Sequence, residues 1–423
     1  MRLLIDLTDL AAWRGPFTGI QQTVFNLASR YDGQADVGFF VYDDVHRAFS
    51  SINFPEVRWR LCSPEAGPRR AAVRTAQQIF DHLPAAVRGL VPPHASLRLR
   101  GLMEQALRLR PTTGAPVSLG PDCVVLLAGP TWHRRDLLPD LCKLKRATGF
   151  RLAAVVYDLV PVFHPQLFPE DFPPQFHAHM RTLMSEASAL FAISRSTEGE
   201  VRRFCAQEGL PMPPTHVFRL GDALAPVLPV APETPPAPGG FILTVGLEWR
   251  KNALLLYQML KLAAQERIKV PPLVIVGRPS WIRQDHECLM RLLTRDPDMR
   301  DRVRVLTGID DAGLTWLYQN CLFTLFPSLC EGWGLPVAES LRQGKVCLAS
   351  SASSIPEVGG DLVDYASPFD PRGFLDLVRR YLDPQRRAAR EAEIQACYRP
   401  HDWDAAFVAF DQALRQALAS ESA

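Results

Sequence analysis

Short apolar runs alternate with longer amphipathic segments along almost the whole chain, and the alternation is broken once, by proline. Before the break, strands are predicted over 2–5, 37–42, 123–127, 152–156 and 189–193, with helices over 20–30 and 175–188. After it, strands are predicted over 241–245, 273–276, 303–306, 323–326 and 346–349. Helices are predicted between them and after them, over 252–264, 281–293, 314–320, 336–342, 374–382 and 403–418. Such β–loop–α repetition calls for mostly parallel sheets with helices on both faces. The break, 223–240, holds Pro226, Pro229, Pro232, Pro235, Pro236 and Pro238 before a Gly-Gly pair. That density suits neither helix nor central strand. The expectation is an α/β protein of two Rossmann-like, doubly wound domains facing a central cleft. It has an N-terminal domain at 1–222, a linker at 223–240, a C-terminal domain at 241–400 and a closing helix at 401–423.

Length supports the division, since 423 residues exceed one ordinary core. A hydrophobic fraction of 47% with 22% charge is that of a folded globular chain, and a net charge of +2 names no partner. The charge is uneven, however. Eight arginines lie between Arg69 and Arg110, opposed only by Asp81 and Glu104, inside an expected insertion at about 64–112. Arginines among apolar residues suit anionic lipid headgroups, or equally a solvated insertion. The basic surface is local and carries no nucleic-acid-binding motif, so no nucleic acid is expected. The nine cysteines show no Cys-x-x-Cys or zinc spacing. They read as small core residues in a reducing compartment. No secretory pattern opens the chain and no run is long enough to span a bilayer, so a cytoplasmic location is expected.

In doubly wound folds ligands bind beyond the carboxyl ends of strands, so strand–helix loops are where chemistry is sought. One runs Phe326-Pro-Ser-Leu-Cys-Glu-Gly-Trp-Gly-Leu-Pro-Val-Ala-Glu-Ser340. Gly332 and Gly334 let backbone approach a ligand, and Pro336 suits a first helical turn. The free N–H groups of that turn favour a diphosphate. Glu331 and Glu339 would repel a diphosphate directly, so they suit sugar hydroxyls on either side of it. The bare Glu-x7-Glu spacing is equally that of acids complementing a helix dipole. A second loop, Thr244-Val-Gly-Leu-Glu-Trp-Arg-Lys-Asn252, follows Gly246 with two adjacent cations, Arg250 and Lys251, and an N-cap candidate, Asn252. An exposed basic loop is the alternative. In the N-terminal half, Gly15-Pro-Phe-Thr-Gly19 occupies the first strand–helix loop without a dinucleotide fingerprint. Asp158 and His164 follow the strand at 152–156, as residues facing donor, acceptor or solvent.

Together these segments resemble glycosyltransferase family 4, the retaining family with the GT-B fold. The resemblance is carried by Pro327 through Glu339, by 349–360 and by Trp249-Arg-Lys-Asn252. More loosely, Phe17-Thr-Gly-Ile-Gln21, Tyr157-Asp-Leu-Val-Pro161 and His164-Pro165 resemble the branch that builds bacterial surface polysaccharides, often by mannosyl transfer. The resemblance implies that Glu331 lies at the donor sugar, Glu339 at the ribose, and Arg250 and Lys251 at the diphosphate. Backbone at Gly19, Gly246, Gly332, Trp333, Gly334 and Leu335 would complete the donor site. It further implies a nucleoside-diphosphate sugar as substrate, a saccharide or lipid-linked acceptor, and neither cofactor nor metal. Two departures from the family pattern stand out: Tyr157 where many relatives have histidine, and a shorter loop after Gly246. Two other readings fit the same fold, a nucleotide-sugar epimerase and a non-catalytic partner subunit.

Overall fold

The computed structural model describes residues 2–13, 17–63, 112–222, 228–236, 240–277 and 283–419. The basic stretch from Arg69 to Arg110 lies outside them. The chain divides into two compact units, Met1–Val155 with Ser185–Leu190, and Val156–Met184 with Phe191–Ala423. Among the described residues no helix is long and apolar enough to cross a membrane.

Fourteen described strands build two sheets. β1 (Arg2–Asp6), β2 (Val37–Asp43), β3 (Ala48–Ile52), β4 (Thr113–Pro116), β5 (Cys123–Leu127), β6 (Arg151–Val156), β7 (Ala189–Ala192) and β8 (Thr215–Val217) form the first, ordered β4-β3-β2-β1-β5-β6-β7-β8. β1 pairs in parallel with both β2 and β5. β3 and β4 are antiparallel additions at the edge, absent from the sequence reading. The turn into β3 is an Asx turn, in which Asp43 Oδ1 accepts from the backbone N–H groups of Val45 at 2.8 Å and His46 at 3.3 Å.

The second sheet holds β9 (Ile242–Val245), β10 (Leu273–Val276), β11 (Val303–Leu306), β12 (Thr324–Phe326), β13 (Cys347–Ser350) and β14 (Asp364–Ala366). Its order is β11-β10-β9-β12-β13-β14, with every recorded pairing parallel. Counted along the chain this is 3-2-1-4-5-6, the doubly wound Rossmann order, whose switch point falls between the first and fourth strands. Here those are β9 and β12. The inner strands β10, β12 and β13 are buried along their whole length and β9 nearly so, as cover on both faces requires, whereas the outer strands β11 and β14 are only half-buried.

Caps fix where the helices begin. Asp310 Oδ1 accepts from Gly313 N–H at 2.8 Å and starts helix Asp311–Asn320 a turn before its first leucine, Leu314. Asp370 does the same for helix Pro371–Leu382 through Gly373. Within the proline-rich segment, 228–236 form neither helix nor strand, and Val230 N–H donates to the Ala312 carbonyl at 3.2 Å. Six of the nine cysteines are buried as expected, but Cys62, Cys288 and Cys397 are exposed. Each of those three lies in a polar or amphipathic helix and faces solvent there.

Candidate functional site

The loops after β9 and β12 leave the second sheet side by side, because their strands are neighbours at the switch point. The first ends the strand at Gly246, in the left-handed region at φ 107°. A Cβ there would sit 2.6 Å from Lys251 Cγ, so only glycine lets the lysine stem pass. The loop closes in a short 3-10 turn, Trp249–Lys251. Asn252 follows at the cap position of helix Ala253–Gln265, but does not cap it with its side chain. Its amide instead donates to the carbonyls of Pro327, at 3.0 Å, and Pro368, at 2.7 Å. The left-handed backbone at φ 60°, which asparagine tolerates, aims the amide across to the β12 loop. The sequence expectation of an N-cap is thus corrected to a clamp between two loops. The Arg250 carbonyl adds a further tie, accepting from Leu329 N–H at 2.8 Å.

Clamped in this way, the loops bring three charges together. Glu331 accepts from Arg250 Nη1 through Oε2 and from Lys251 Nζ through Oε1, both at 2.6 Å. Its side chain is 6% exposed and that of Lys251 11%. Burial alone would raise the Glu331 carboxyl, but Arg250 and Lys251 outweigh it and hold the group at about 2. Burial works against the Arg250 charge as well, yet Glu331, Glu248 and Asp158 raise its pKa. Arg250 Nε also donates to Glu248 at 3.0 Å. Lys251 Nζ lies 5.0 Å from the centre of the Phe326 ring.

Glu331 is fixed by serines as well. Its N–H donates to Ser353 Oγ at 2.8 Å, and Ser354 Oγ donates to the carbonyls of Glu331 and Trp333, both at 2.8 Å. Trp333 is buried, with the Arg219 guanidinium 5.9 Å from its ring centre. Gly334, at φ 117°, is the cap position of helix Leu335–Arg342, with Pro336 in its first turn. Glu339 lies one turn further in and is buried. Burial raises its carboxyl to about 7, against a hydrogen bond from Tyr318 and the charge of Lys251. Lys251 is therefore the cation sensed by both glutamates.

Asp158 joins the cluster from the segment after β6. Burial raises its pKa, while Arg250 pulls it down. Asp158 Oδ1 accepts from Val160 N–H at 3.1 Å, and Glu200 Oε2 from Leu159 N–H at 2.8 Å. Next to it, the Tyr157 carbonyl accepts from Thr197 Oγ1 at 3.0 Å and rests on Gly332, where a Cβ would come within 2.2 Å of that carbonyl oxygen. Gly332→Ala is therefore expected to destabilise the protein by about 2 kcal/mol, read as a lower urea midpoint at unchanged slope. A variant unfolding at the wild-type midpoint would show that the two loops part freely.

The remaining sequence candidates fall elsewhere. His164 closes the short helix Val160–Phe163; burial, then Arg203, lowers its pKa. Gly19 is the first residue of helix Gly19–Tyr31, in the other unit. Sequence reasoning did not single out Thr197, Tyr318, Ser353 or Ser354. The serines lay inside the quoted run 349–360, but Tyr318 lies among apolar residues of a helix and gives no local signal. Among the described residues, no group of three or more His, Cys, Asp or Glu is placed to hold a metal.

The sequence model of the family described as "Glycosyl transferases group 1" matches residues 233–396, which hold both loops. Among curated proteins, the O-antigen chain mannosyltransferase B of Escherichia coli is 26% identical over 235 residues, 52% of this chain and 58% of that protein. The serotype-specific mannosyltransferase WbdA of Escherichia coli is 29% identical over 231 residues, 50% of this chain and 26% of that protein. The matches thus span little more than half of one relative and about a quarter of the other. Among solved structures, Anabaena HepE in complex with UDP and glucose is 15% identical with a TM-score of 0.58, covering 98% of this chain and 100% of that one. The sucrose-phosphate synthase of Thermosynechococcus elongatus is 20% identical with a TM-score of 0.54, covering 70% of this chain and 74% of that one. At these identities the structural likeness speaks for the fold.

Proposed function

We propose, from the premise that this is a group 1 glycosyl transferase of the GT-B fold, that the chain moves a hexose, with mannose favoured, from a nucleoside-diphosphate sugar to a saccharide or lipid-linked saccharide. The observation that carries the proposal is the convergence of Arg250 and Lys251 on Glu331 at the switch point of the second sheet. Two cations held there suit a diphosphate, and Glu331 keeps them in place until one arrives. The mannosyltransferase relatives support the choice of sugar and a role in surface polysaccharide assembly.

Transfer proceeds with retention in this reading. The acceptor hydroxyl approaches the anomeric carbon from the face that the nucleoside diphosphate leaves. Negative charge grows on the leaving phosphate, and Arg250, Lys251 and the N-terminus of helix Leu335–Arg342 stabilise it. Glu331 orients the cations and meets the sugar, Glu339 accepts from the ribose, and a phosphate oxygen takes the acceptor proton. No metal is needed for these steps. In this reading the enzyme works in the cytoplasm, where the basic stretch 69–110 would suit the anionic inner face of the membrane.

Thermal unfolding in the presence of GDP, UDP, ADP or dTDP, each with its sugar conjugates, tests the donor site. One nucleotide series is expected to raise the midpoint, because a ligand of the native state stabilises it. Arg250→Ala and Glu339→Ala are expected to abolish the shift. Folded protein that responds to none of the four would favour a non-catalytic subunit instead. Conversion of the bound sugar without transfer to any acceptor would favour an epimerase.

A further inference from the structure

We infer that Tyr318 is a positioning residue for donor recognition: its phenol engages one oxygen of Glu339 and leaves the other to accept the ribose hydroxyls. This rests on the donor site proposed above. Tyr318 lies in helix Asp311–Asn320 and is 1% exposed, inside a core of Phe241, Leu243, Val274, Val276 and Leu317. Phenylalanine would fill that space as well, so the hydroxyl is what distinguishes the residue. A buried phenol needs a hydrogen-bond partner, and this one has two. The Pro336 carbonyl accepts at 3.4 Å, a long contact, whereas Glu339 Oε2 accepts at 2.8 Å, the length of a good O–H···O bond. The bond joins residues 21 positions apart, on two helices, and engages Oε2, so Oε1 is the oxygen assigned here to the ligand.

The surroundings make the bond matter. A glutamate 9% exposed loses much of its hydration, and burial raises its carboxyl to about 7. Three groups act on it. From helix Asp311–Asn320, the Tyr318 hydrogen bond favours the carboxylate and the charge of Asp311 opposes it. From the β9 loop, Lys251 favours it. Around the phenol itself, Cys321 and Cys347 are the other titratable neighbours. A carboxyl poised near neutrality accepts hydroxyl protons well only when ionised, and the phenol is the nearest donor keeping it so. Without it the carboxyl titrates at higher pH and accepts less well at pH 7.

Isothermal titration of the full chain tests this, using GDP and UDP with their 2′-deoxy and 3′-deoxy analogues between pH 6 and pH 9. The wild type is expected to bind one ribonucleotide about tenfold or more tightly than its deoxy analogue. Tyr318→Phe is expected to weaken that ribonucleotide about tenfold at pH 7 and to bind the deoxy analogue almost as the wild type does. The deficit should shrink as pH rises. A second variant reads the same coupling without relying on Tyr318→Phe alone: in a Glu339→Gln background, removing the phenol should cause no further loss of discrimination. Equal loss for every nucleotide at every pH, which loosened packing alone gives, would overturn the inference. So would unchanged discrimination with an unchanged pH midpoint, and in both cases the donor site would stand. Wild-type protein that binds none of GDP, UDP, ADP and dTDP overturns the donor site and this inference with it.

Discussion

Lys251→Ala is expected to lower turnover at saturating donor about a hundredfold or more, the effect of removing one charge-stabilising donor from a site where negative charge grows. Gly246 adopts φ 107° and has no Cβ, so the Lys251 stem lies against the end of β9. Its Nζ is thereby placed 2.6 Å from Glu331 and over the Phe326 ring, with only 11% of the side chain exposed. A cation in that position is oriented before the donor binds, so none of its stabilisation is lost to reorganisation. The charge is also sensed at Glu339, which links the two ends of the proposed donor. Removing it takes away a charge that matters most once the leaving phosphate becomes more negative, so kcat should fall more than donor KM rises. Lys251→Arg is expected to rescue poorly, because a longer, planar, forked guanidinium does not reproduce a compact ammonium in a site that leaves the side chain only 11% exposed. Release of the nucleoside diphosphate from whichever sugar donor the unfolding screen selects, with acceptor present, gives both constants. Turnover of Lys251→Ala within a few-fold of wild type would remove this lysine from the chemistry.

The second sheet was the most legible part of the chain. Its first five strands are short, mostly apolar runs between amphipathic segments, and each was expected within a residue of where it lies. Helix starts were less legible, because periodicity marks the first buried residue while a cap marks the first helical one. Asp310 and Asp370 set those starts about a turn ahead of Leu314 and Phe374. β3 was hidden because Ala48-Phe-Ser-Ser-Ile52 is too polar to stand out, and the Asp43 turn brings it back against β2. In the candidate site, residue types and spacing pointed to Glu331, Arg250 and Lys251, but not to how they meet. Their ion pairs join positions 80 or more apart, and only the order of β9 and β12 makes them neighbours. Tyr318 and Thr197 follow the same logic. Each acts through a bond to a distant segment, and nothing in its own neighbourhood of sequence announces it.

Glu331→Ala is expected to destabilise the folded chain by about 3–5 kcal/mol at pH 7, the range for breaking a buried ion pair from one side. The substitution leaves Lys251 buried and Arg250 partly buried, without the carboxylate that offsets their lost hydration. Glu331→Gln keeps the shape and some hydrogen bonding, and should lose less. The same pair predicts how stability depends on pH. Glu331 titrates at about 2 when folded and near 4.5 otherwise. Its carboxylate therefore stabilises the fold fully above about 5, and that contribution disappears as pH falls toward 2. A glutamine does not titrate, so wild type and Glu331→Gln should converge on acidification. Urea midpoints at pH 7, 5 and 4 measure this: a gap constant from 7 to 5 should begin to close by 4. A gap that persists unchanged into acid would mean that the variant loses packing rather than charge. The cations would then be held by the Asn252 clamp and the Gly246 passage, and Glu331 would be free to turn toward the sugar without unfolding what surrounds it.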